Sequence, residues 1–423
     1  MQEELRNRDY KVNWHPYTQM QQATDIIPIV RAEGSYIYDA NGKQYIDAVS
    51  SWWVTLHGHS HPYIAEKLAK QLLTLEQVIF AGFTHTPAIE LSERLLQLLP
   101  QNQQKVFYTD NGSTAIEVAL KMCIQFGRHL ELKRKKIVAF KNGYHGDTFG
   151  AMSVSGRGIW TDPFGEMLFD VVFIDVPTKK NIHSIKEIID SQADEILCFI
   201  YEPLVQGAGG MLMHKADDLD ELLAFIKSKD ILLIQDEIFV GFGRTGKLFA
   251  ANHLTTQPDI MCFSKGLTGG TLPLGLTTCT NQIYQAFYSE DSTKSLFHGH
   301  SFTASPLACT AALASLDLLL LDETKEKIQN IVESHQRFKE KVQLHPKVKE
   351  VRQQGTILAL EWNTLEETSY FSDIHKLLYP KFLEKGILMR PLGNIIYLVP
   401  PYCISSDDLE YIYRTIIDFL EEM

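Results

Sequence analysis

Ile231-Leu-Leu-Ile-Gln-Asp236-Glu237, followed by Asp259-Ile-Met-Cys-Phe-Ser-Lys265-Gly266, is the stretch on which the reading of this chain turns. Ile231 to Ile234 is an unbroken apolar run, the pattern of a strand buried on both faces of a parallel sheet, and Asp236 emerges at its carboxyl end. The second run is shorter and similarly apolar, and it delivers Lys265 at its end beside Gly266. An apolar strand has no structural reason to finish on a charge. In an open α/β sheet, ligands bind in the crevice at the carboxyl ends of the strands. That is where both charges are expected.

An aspartate and a lysine in such a crevice suit pyridoxal phosphate. The amine can hold the aldehyde as a Schiff base, and the carboxylate keeps the pyridine nitrogen protonated, which makes the ring an electron sink. The alternative is a buried ion pair with no chemistry attached.

Around this stretch the composition is that of an ordinary globular protein. A chain of 423 residues that is 45% hydrophobic is long enough for two domains. With 40 basic and 52 acidic residues the net charge is -12, which argues against a nucleic-acid or anionic-membrane surface. The six cysteines are scattered with no C-x-x-C pair and read as buried thiols of a reducing compartment. The N-terminus has no signal-like apolar region, and the longest apolar stretch, Leu307 to Leu321, is broken by Thr310, Ser315 and Asp317. A cytoplasmic location is the expectation.

In chain order, Ser35 to Asp47 reads as a hairpin turning at Asn41-Gly42. If Trp52 and Trp53 lie on a strand, one faces the core and the other is left for solvent, a partner or a ligand. His57, His59 and His61 alternate before a helix from Tyr63 to Leu75, and capping or packing histidines fit as well as a metal site does; no metal is expected. The strand from Lys105 runs through Asn111-Gly112 into a helix beginning near Ser113, a seat for a phosphate, or else a capping box involving Glu117. Asn142-Gly-Tyr144-His145-Gly-Asp147 follows the strand Lys136 to Phe140, and Tyr144 would stack on a flat ring or pack at the loop's base. Strands are also expected from Val171 to Val176 and from Ile196 to Tyr201, the latter ending in Glu202, either a site acid or a structural acid that binds backbone N–H groups.

Gly241-Phe-Gly-Arg-Thr-Gly246 matches G-x-G-x-x-G, but no helix opens there, so a dinucleotide fold is not expected. Arg244 is then available for a substrate acid or an ion pair. Gly299 and Ser301 precede a helix from Leu307 to Leu320, a charged helix spans Glu323 to Gln343, and strands at Thr356 to Trp362 and Ile395 to Val399 alternate with helices at 370–385 and 406–422. Arg390 carries the guanidinium fork suited to a carboxylate, or lies on the surface.

Together, the phosphate seat, Tyr144-His145-Gly146, Asp236-Glu237, Gly241 to Gly246 and Ser264-Lys265-Gly266 resemble the class III pyridoxal phosphate aminotransferases over most of the chain. Finer features are similar to the branch of that family that serves biotin synthesis. These are Trp14-His-Pro-Tyr17, Ser51-Trp52-Trp53, Glu202-Pro-Leu-Val-Gln-Gly-Ala-Gly-Gly210, Lys265-Gly-Leu-Thr-Gly-Gly270 and Arg390-Pro-Leu-Gly-Asn-Ile-Ile-Tyr397.

The resemblance implies an α/β chain of fold type I, with an N-terminal segment (1–55) joining the small domain, a large mostly parallel-sheet domain (56–323) and a small α+β domain (324–423). It implies a homodimer with shared active sites. Lys265 would be the Schiff-base lysine and proton carrier, Asp236 the partner of the ring nitrogen, Tyr144 the stacking residue, and Gly112 and Ser113 the phosphate seat. His300 and Ser301 would reach the phosphate of the other subunit. Tyr17, Trp52, Trp53, Gly299 and Arg390 would line the substrate pocket with Tyr144 and Lys265. The substrates implied are S-adenosylmethionine as donor and 8-amino-7-oxononanoate as acceptor, used in turn; lysine or another ω-amino donor is the alternative. The chain departs from the family's usual Pro-Thr after Gly299, having His300-Ser301 instead.

Overall fold

Six of the seven strands of the main sheet run the same way, which brings their carboxyl-terminal loops to one edge. The computed structural model describes residues 1–23, 26–363 and 373–422. In chain order the strands are β1 Gln103–Thr109, β2 Lys136–Phe140, β3 Val172–Ile174, β4 Ile196–Tyr201, β5 Leu232–Asp236, β6 Ile260–Phe263 and β7 Gly275–Thr280. They lie side by side as β1-β7-β6-β5-β4-β2-β3. Strand β7 is antiparallel to both of its neighbours, and the other pairs are parallel.

The central strands β4, β5 and β6 are buried along their whole length, which is why their sequences are continuous apolar runs rather than alternating ones. Helix α1, Gly112–His129, connects β1 to β2. It buries Ala115, Ile116, Ala119, Met122, Cys123 and Phe126, a spacing that forms one face at 3.6 residues per turn. A second helix, α2 Ala216–Lys227, buries Leu219, Leu222, Leu223 and Ile226 in the same way between β4 and β5.

Three smaller sheets accompany this one, the smallest a ribbon of Val205–Gln206 and Leu212–Met213. The strands Tyr36–Asp39 and Gln44–Asp47 pair antiparallel around Asn41-Gly42, with Gly42 at φ 86, as the turn chemistry required. Ile29–Glu33 joins on one side and Ile387–Leu388 on the other, the latter parallel to Gln44–Asp47, so the two ends of the chain share a sheet. The strands Val348–Gln354, Ile357–Trp362 and Ile395–Leu398 form an antiparallel sheet. Helices Asp322–Val342 and Ser406–Glu422 pack together, and the first of them also lies on that sheet. The boundary expected near residue 323 falls in the first turn of Asp322–Val342. The helix expected over 370–385 runs Asp373–Glu384, and 370–372 lie outside the described residues. No described helix is long and apolar enough to cross a membrane.

Trp52 and Trp53 do not lie on a strand. They end a short helical turn, Ser50–Trp53, in which Ser50, Ser51 and Trp53 all have positive φ. Trp53 is buried and Trp52 is 44% exposed. The division of roles expected from their adjacency therefore holds, but a strained turn produces it rather than strand alternation.

Candidate active site

The parallel strand ends open onto a cavity of about 380 Å³, whose walls include Gly112, Ser113, Tyr144, Asp236, Ile238 and Lys265. Asp236 and Lys265 thus meet in one space, because β5 and β6 are adjacent and parallel and each delivers its charge at the same edge.

Asp236 is buried, and its two oxygens have different partners. Oδ1 accepts the Ile238 N–H at 2.9 Å, and Oδ2 lies 2.7 Å from His145 Nδ1. The carboxylate and the imidazole thus share one hydrogen bond. His145 Nε2 is buried with no partner among the described residues.

Lys265 follows β6 at φ 45, in a left-handed conformation that non-glycine residues adopt at a cost of about 1–3 kcal/mol and mainly at functional sites. Its Nζ lies 4.7 Å from the Trp53 ring centroid and 5.5 Å from that of Phe239. Burial lowers its pKa to about 8, against the opposing pull of the Asp236 and Glu202 carboxylates.

Glu202 also stands in the cavity wall. Its carboxylate accepts the N–H groups of Tyr144 at 2.9 Å and Gly207 at 3.0 Å, which ties two strand-end loops together, and burial raises its pKa to about 7. Glu237 has the same character. Burial raises it to about 7, and it accepts from Ala250 N and Ala251 N.

At the start of α1, the Asn111 side chain accepts from Thr114 N at 3.0 Å, and Thr114 Oγ1 accepts from Asn111 N at 3.1 Å. This is a capping box, but not one made with Glu117. That carboxylate reaches across to Thr148 Oγ1, Gly150 N and Ala151 N, at the start of the next helical turn. The N–H groups of Gly112 and Ser113 keep no acceptor among the described residues and stand at the cavity wall, where the helix dipole favours an anion. A Cβ on Gly146, at φ 129, would sit 2.0 Å from Ser113 Oγ, so only glycine lets the Tyr144 loop close against this seat.

A second group of residues gathers beside the Tyr144 loop. The Tyr17 hydroxyl donates to Asp147 Oδ2, and its ring packs edge-on against Trp52 at 5.9 Å and Trp160 at 5.3 Å. The Arg390 guanidinium lies 5.2 Å from the Trp52 ring centroid. Burial first, and then the Asp147 carboxylate, push the pKa of the Tyr144 hydroxyl up, so it remains a proton donor at neutral pH.

An amine, a hydrogen-bonded carboxylate, an anion seat and an apolar wall in one cavity fit a flat, phosphorylated pyridine aldehyde. The sequence pattern of the family described as Aminotransferase class-III matches residues 17–420. The chain belongs to the class-III aminotransferase family. The aminotransferase is 43% identical to adenosylmethionine-8-amino-7-oxononanoate aminotransferase of Synechococcus elongatus over 420 residues, 97% of this chain and 98% of that protein. A crystal structure of the protein of the same name from Methanocaldococcus jannaschii superposes with a TM-score of 0.95 at 35% identity and covers 99% of both chains. An amine transaminase from an uncultivated Pseudomonas species, solved in the PLP-bound form, superposes with a TM-score of 0.88 at 30% identity, covering 96% of this chain and 97% of that one.

Of the residues singled out in the sequence, the aminotransferase brings Gly112, Ser113, Tyr144, His145, Trp53, Glu202, Asp236 and Lys265 into the cavity wall. Tyr17, Trp52 and Arg390 form the adjoining cluster. Gly299, His300 and Ser301 stand apart within one protomer: His300 Nδ1 lies 3.4 Å from Asp110, and the Ser301 carbonyl accepts from Gln77. Arg244 is not in the cavity wall and forms no ion pair with an acid among the described residues. It is buried, donating to the Pro400 carbonyl at 2.6 Å and the Thr55 carbonyl at 3.4 Å. His57 and His59 have separate partners, Ser315 and Asp47, and no metal-holding group of three acids, thiols or imidazoles gathers among the described residues.

Sequence reasoning missed Trp160 and the bond between His145 and Asp236, and it left the role of Asp147 open. His145 and Asp147 both stood in a quoted loop, but nothing local links positions 91 residues apart. Trp160 lies in a stretch that carried no motif at all.

Proposed function

We propose that this class-III aminotransferase carries the amino group of S-adenosylmethionine to 8-amino-7-oxononanoate, giving 7,8-diaminononanoate in biotin synthesis, with pyridoxal 5'-phosphate as cofactor. The observation that carries the chemistry is the meeting of Asp236 and Lys265 in one cavity beside the unbonded N–H groups of Gly112 and Ser113. The substrates rest on likeness to relatives bearing that name along their whole length.

When bound, the cofactor supplies an electron sink for the charge that develops at the donor's α-carbon. The remaining work belongs to the chain. Asp236, fixed by His145 and the Ile238 N–H, holds a proton on the ring nitrogen. Gly112 and Ser113 bind the phosphate through backbone N–H groups. Tyr144, oriented by Glu202 through its own N–H, covers the ring. Lys265 Nζ, with its pKa drawn down by burial, accepts the proton from the donor α-carbon, as a base matched to near-neutral pH should. Trp53 and Phe239 flank that amine and keep water from it. Arg390 takes the acceptor's carboxylate, with Tyr17 and Trp52 along the methylene chain and Gly299 reaching it from the opposite subunit. One cavity serving two unlike substrates requires that they enter alternately, so the kinetics are ping-pong.

The unit of function is a homodimer in which His300 and Ser301 complete the phosphate site of the opposite subunit. Six unpaired cysteines suit a cytoplasmic setting. The donor half-reaction tests the reading. Adenosylmethionine alone should bleach the cofactor's visible absorbance and leave one equivalent of keto product per site. If lysine bleaches it and adenosylmethionine does not, the ω-amino-donor reading replaces this one.

A further inference from the structure

We propose that His59 is a positioning residue for the amine of Lys265: through Asp47 it holds the strained turn Ser50–Trp53 in the form that sets the Trp53 indole against that amine. This rests on the role given to Lys265 above, and on the identity of neither substrate. Three of the four residues of the turn, Ser50, Ser51 and Trp53, have φ of 51, 60 and 66. Non-glycine residues persist in that region only where their surroundings over-determine the backbone, and they do so mainly at functional sites. The Trp53 side chain gives the turn little help. Its indole N–H is buried with no acceptor among the described residues, and its ring is held by packing, with the Phe239 centroid 4.5 Å away. Where the ring lies is therefore decided by the backbone that carries it.

Asp47 fixes that backbone. Its Oδ1 accepts from Val49 N at 3.2 Å and its Oδ2 from Ser51 N at 2.7 Å. His59 Nε2 stands 2.8 Å from the same Oδ2. The histidine has its own anchor on another segment: its N–H donates to the Gly34 carbonyl at 2.7 Å, and its carbonyl accepts from Gly34 N at 3.1 Å. The Asp47 side chain is 0% and the His59 side chain 15% exposed, so the pair is enclosed within one subunit. A carboxylate buried to that degree needs each partner it has, because an unmet charge in the interior is costly. With His59 in place Asp47 keeps one orientation, and the N–H groups of Val49 and Ser51 stay turned toward it.

His57, two residues earlier, faces the other way. Its Nε2 lies 3.0 Å from Ser315 Oγ, which donates to the Gly266 carbonyl at 3.4 Å. Between the two histidines' partners, a Cβ on Gly270 would come within 2.9 Å of the Thr55 backbone, so the segment after Trp53 lies directly on the loop after Lys265. The alternating histidines thus tie the turn on one side and the lysine's loop on the other, which sets indole and amine in register. The consequence for Lys265 is the exclusion of water. Burial brings its pKa down to about 8 with the ring in place, so the water that the indole keeps out outweighs the attraction of its face for the charged amine. A turn released from His59 should admit water and raise that pKa toward its usual 10.5.

The experiment follows single turnovers of the holoenzyme as a function of pH, at saturating adenosylmethionine, or at saturating lysine if the wild type takes that donor instead. Lys265 accepts the proton as a neutral amine, so the rate should rise with pH through the amine's pKa. In His59→Ala the rise should come about one pH unit higher, which slows the reaction about tenfold near neutral pH. Asp47→Asn, which removes the charge, should move the midpoint the same way. His59→Gln can set an amide where Nε2 stands and should stay within about twofold of the wild type. An unmoved midpoint in His59→Ala, with the rate unchanged or lowered equally at every pH, overturns the proposal, as does a His59→Gln that behaves like His59→Ala. If His59→Ala does not fold, Asp47→Asn is judged on the same midpoint. Borohydride fixation of cofactor on wild-type Lys265 tests the underlying role separately. No fixation overturns that role and this proposal together; fixation with an unmoved midpoint overturns this proposal alone.

Discussion

Lys265 and Asp236 owe their properties to what surrounds them, and each makes a prediction. Burial lowers the lysine's pKa from its usual 10.5 to about 8. The sign follows: folding favours the neutral amine, so any associated stability is fully present above the unfolded pKa and is lost as pH falls through about 8. Cofactor capture by cofactor-free protein needs the same neutral amine. Its rate should rise with pH and level off above about 8, as stopped-flow absorbance would record; a midpoint near 10.5 would mean that the site does not perturb the lysine. Lys265→Ala should abolish turnover yet still bind cofactor, now removable by dialysis because no covalent link holds it. Asp236→Asn keeps the shape but removes the charge, and should lower the donor half-reaction rate on the order of 10²–10³-fold, the cost typical of losing one preorganised electrostatic partner. Both residues were legible in the sequence as charges at the ends of apolar runs. The imidazole that orients Asp236 was not, since the chemistry of His145 is set by a neighbour distant along the chain.

Elements make the anion seat. A helix exposes its first N–H groups wherever it begins, and at α1 the Asn111–Thr114 box satisfies one of them while those of Gly112 and Ser113 keep no acceptor among the described residues. Asn111→Ala should cost about 1 kcal/mol in urea unfolding and loosen cofactor retention at the same time. Gly146→Ala should do more damage to cofactor retention than to the helix, because its Cβ would enter the space of Ser113 Oγ and push the Tyr144 loop off the seat. Equal cofactor affinity in the glycine variant would dissociate the loop from the seat. The strand–turn–helix order of this seat could be read from residues 105 to 121. The capping partner could not: Thr114 and Glu117 both stood at suitable spacing, and only the approach of the segment Thr148–Ala151 decided that Glu117 would cap a different turn.

For the whole molecule, the G-x-G-x-x-G stretch is a junction. Arg244 ties the loop after β5 to the N-terminal segment at Thr55 and to the C-terminal segment at Pro400, with the Tyr402 ring 5.1 Å away. Gly243, at φ 99, leaves room where a Cβ would come within 2.9 Å of Ile328 and Tyr402. Arg244→Ala should destabilise by roughly 3 kcal/mol, since the carbonyls it satisfies stay buried; thermal unfolding of the holoenzyme would measure it. Sedimentation should give twice the 48.2 kDa chain mass. Ser301→Trp and Lys265→Ala, each inactive alone, should regain activity when subunits are mixed, because a mixed dimer then carries one intact site. No recovery would place Ser301 in its own protomer's site.

Local periodicity was enough to read the buried strands, the hairpin at Asn41-Gly42, the helix starts and the charged residues at strand ends, because each depends on neighbours within a few positions. Tertiary structure alone decided that Asp236, Lys265, His145 and the start of α1 meet in one cavity, that Glu202 links two loops at its wall, and that Arg244 is a buried tie. These depend on which strands lie side by side and in which direction. Strand order is settled by packing between segments far apart in the chain, and no window of sequence contains it.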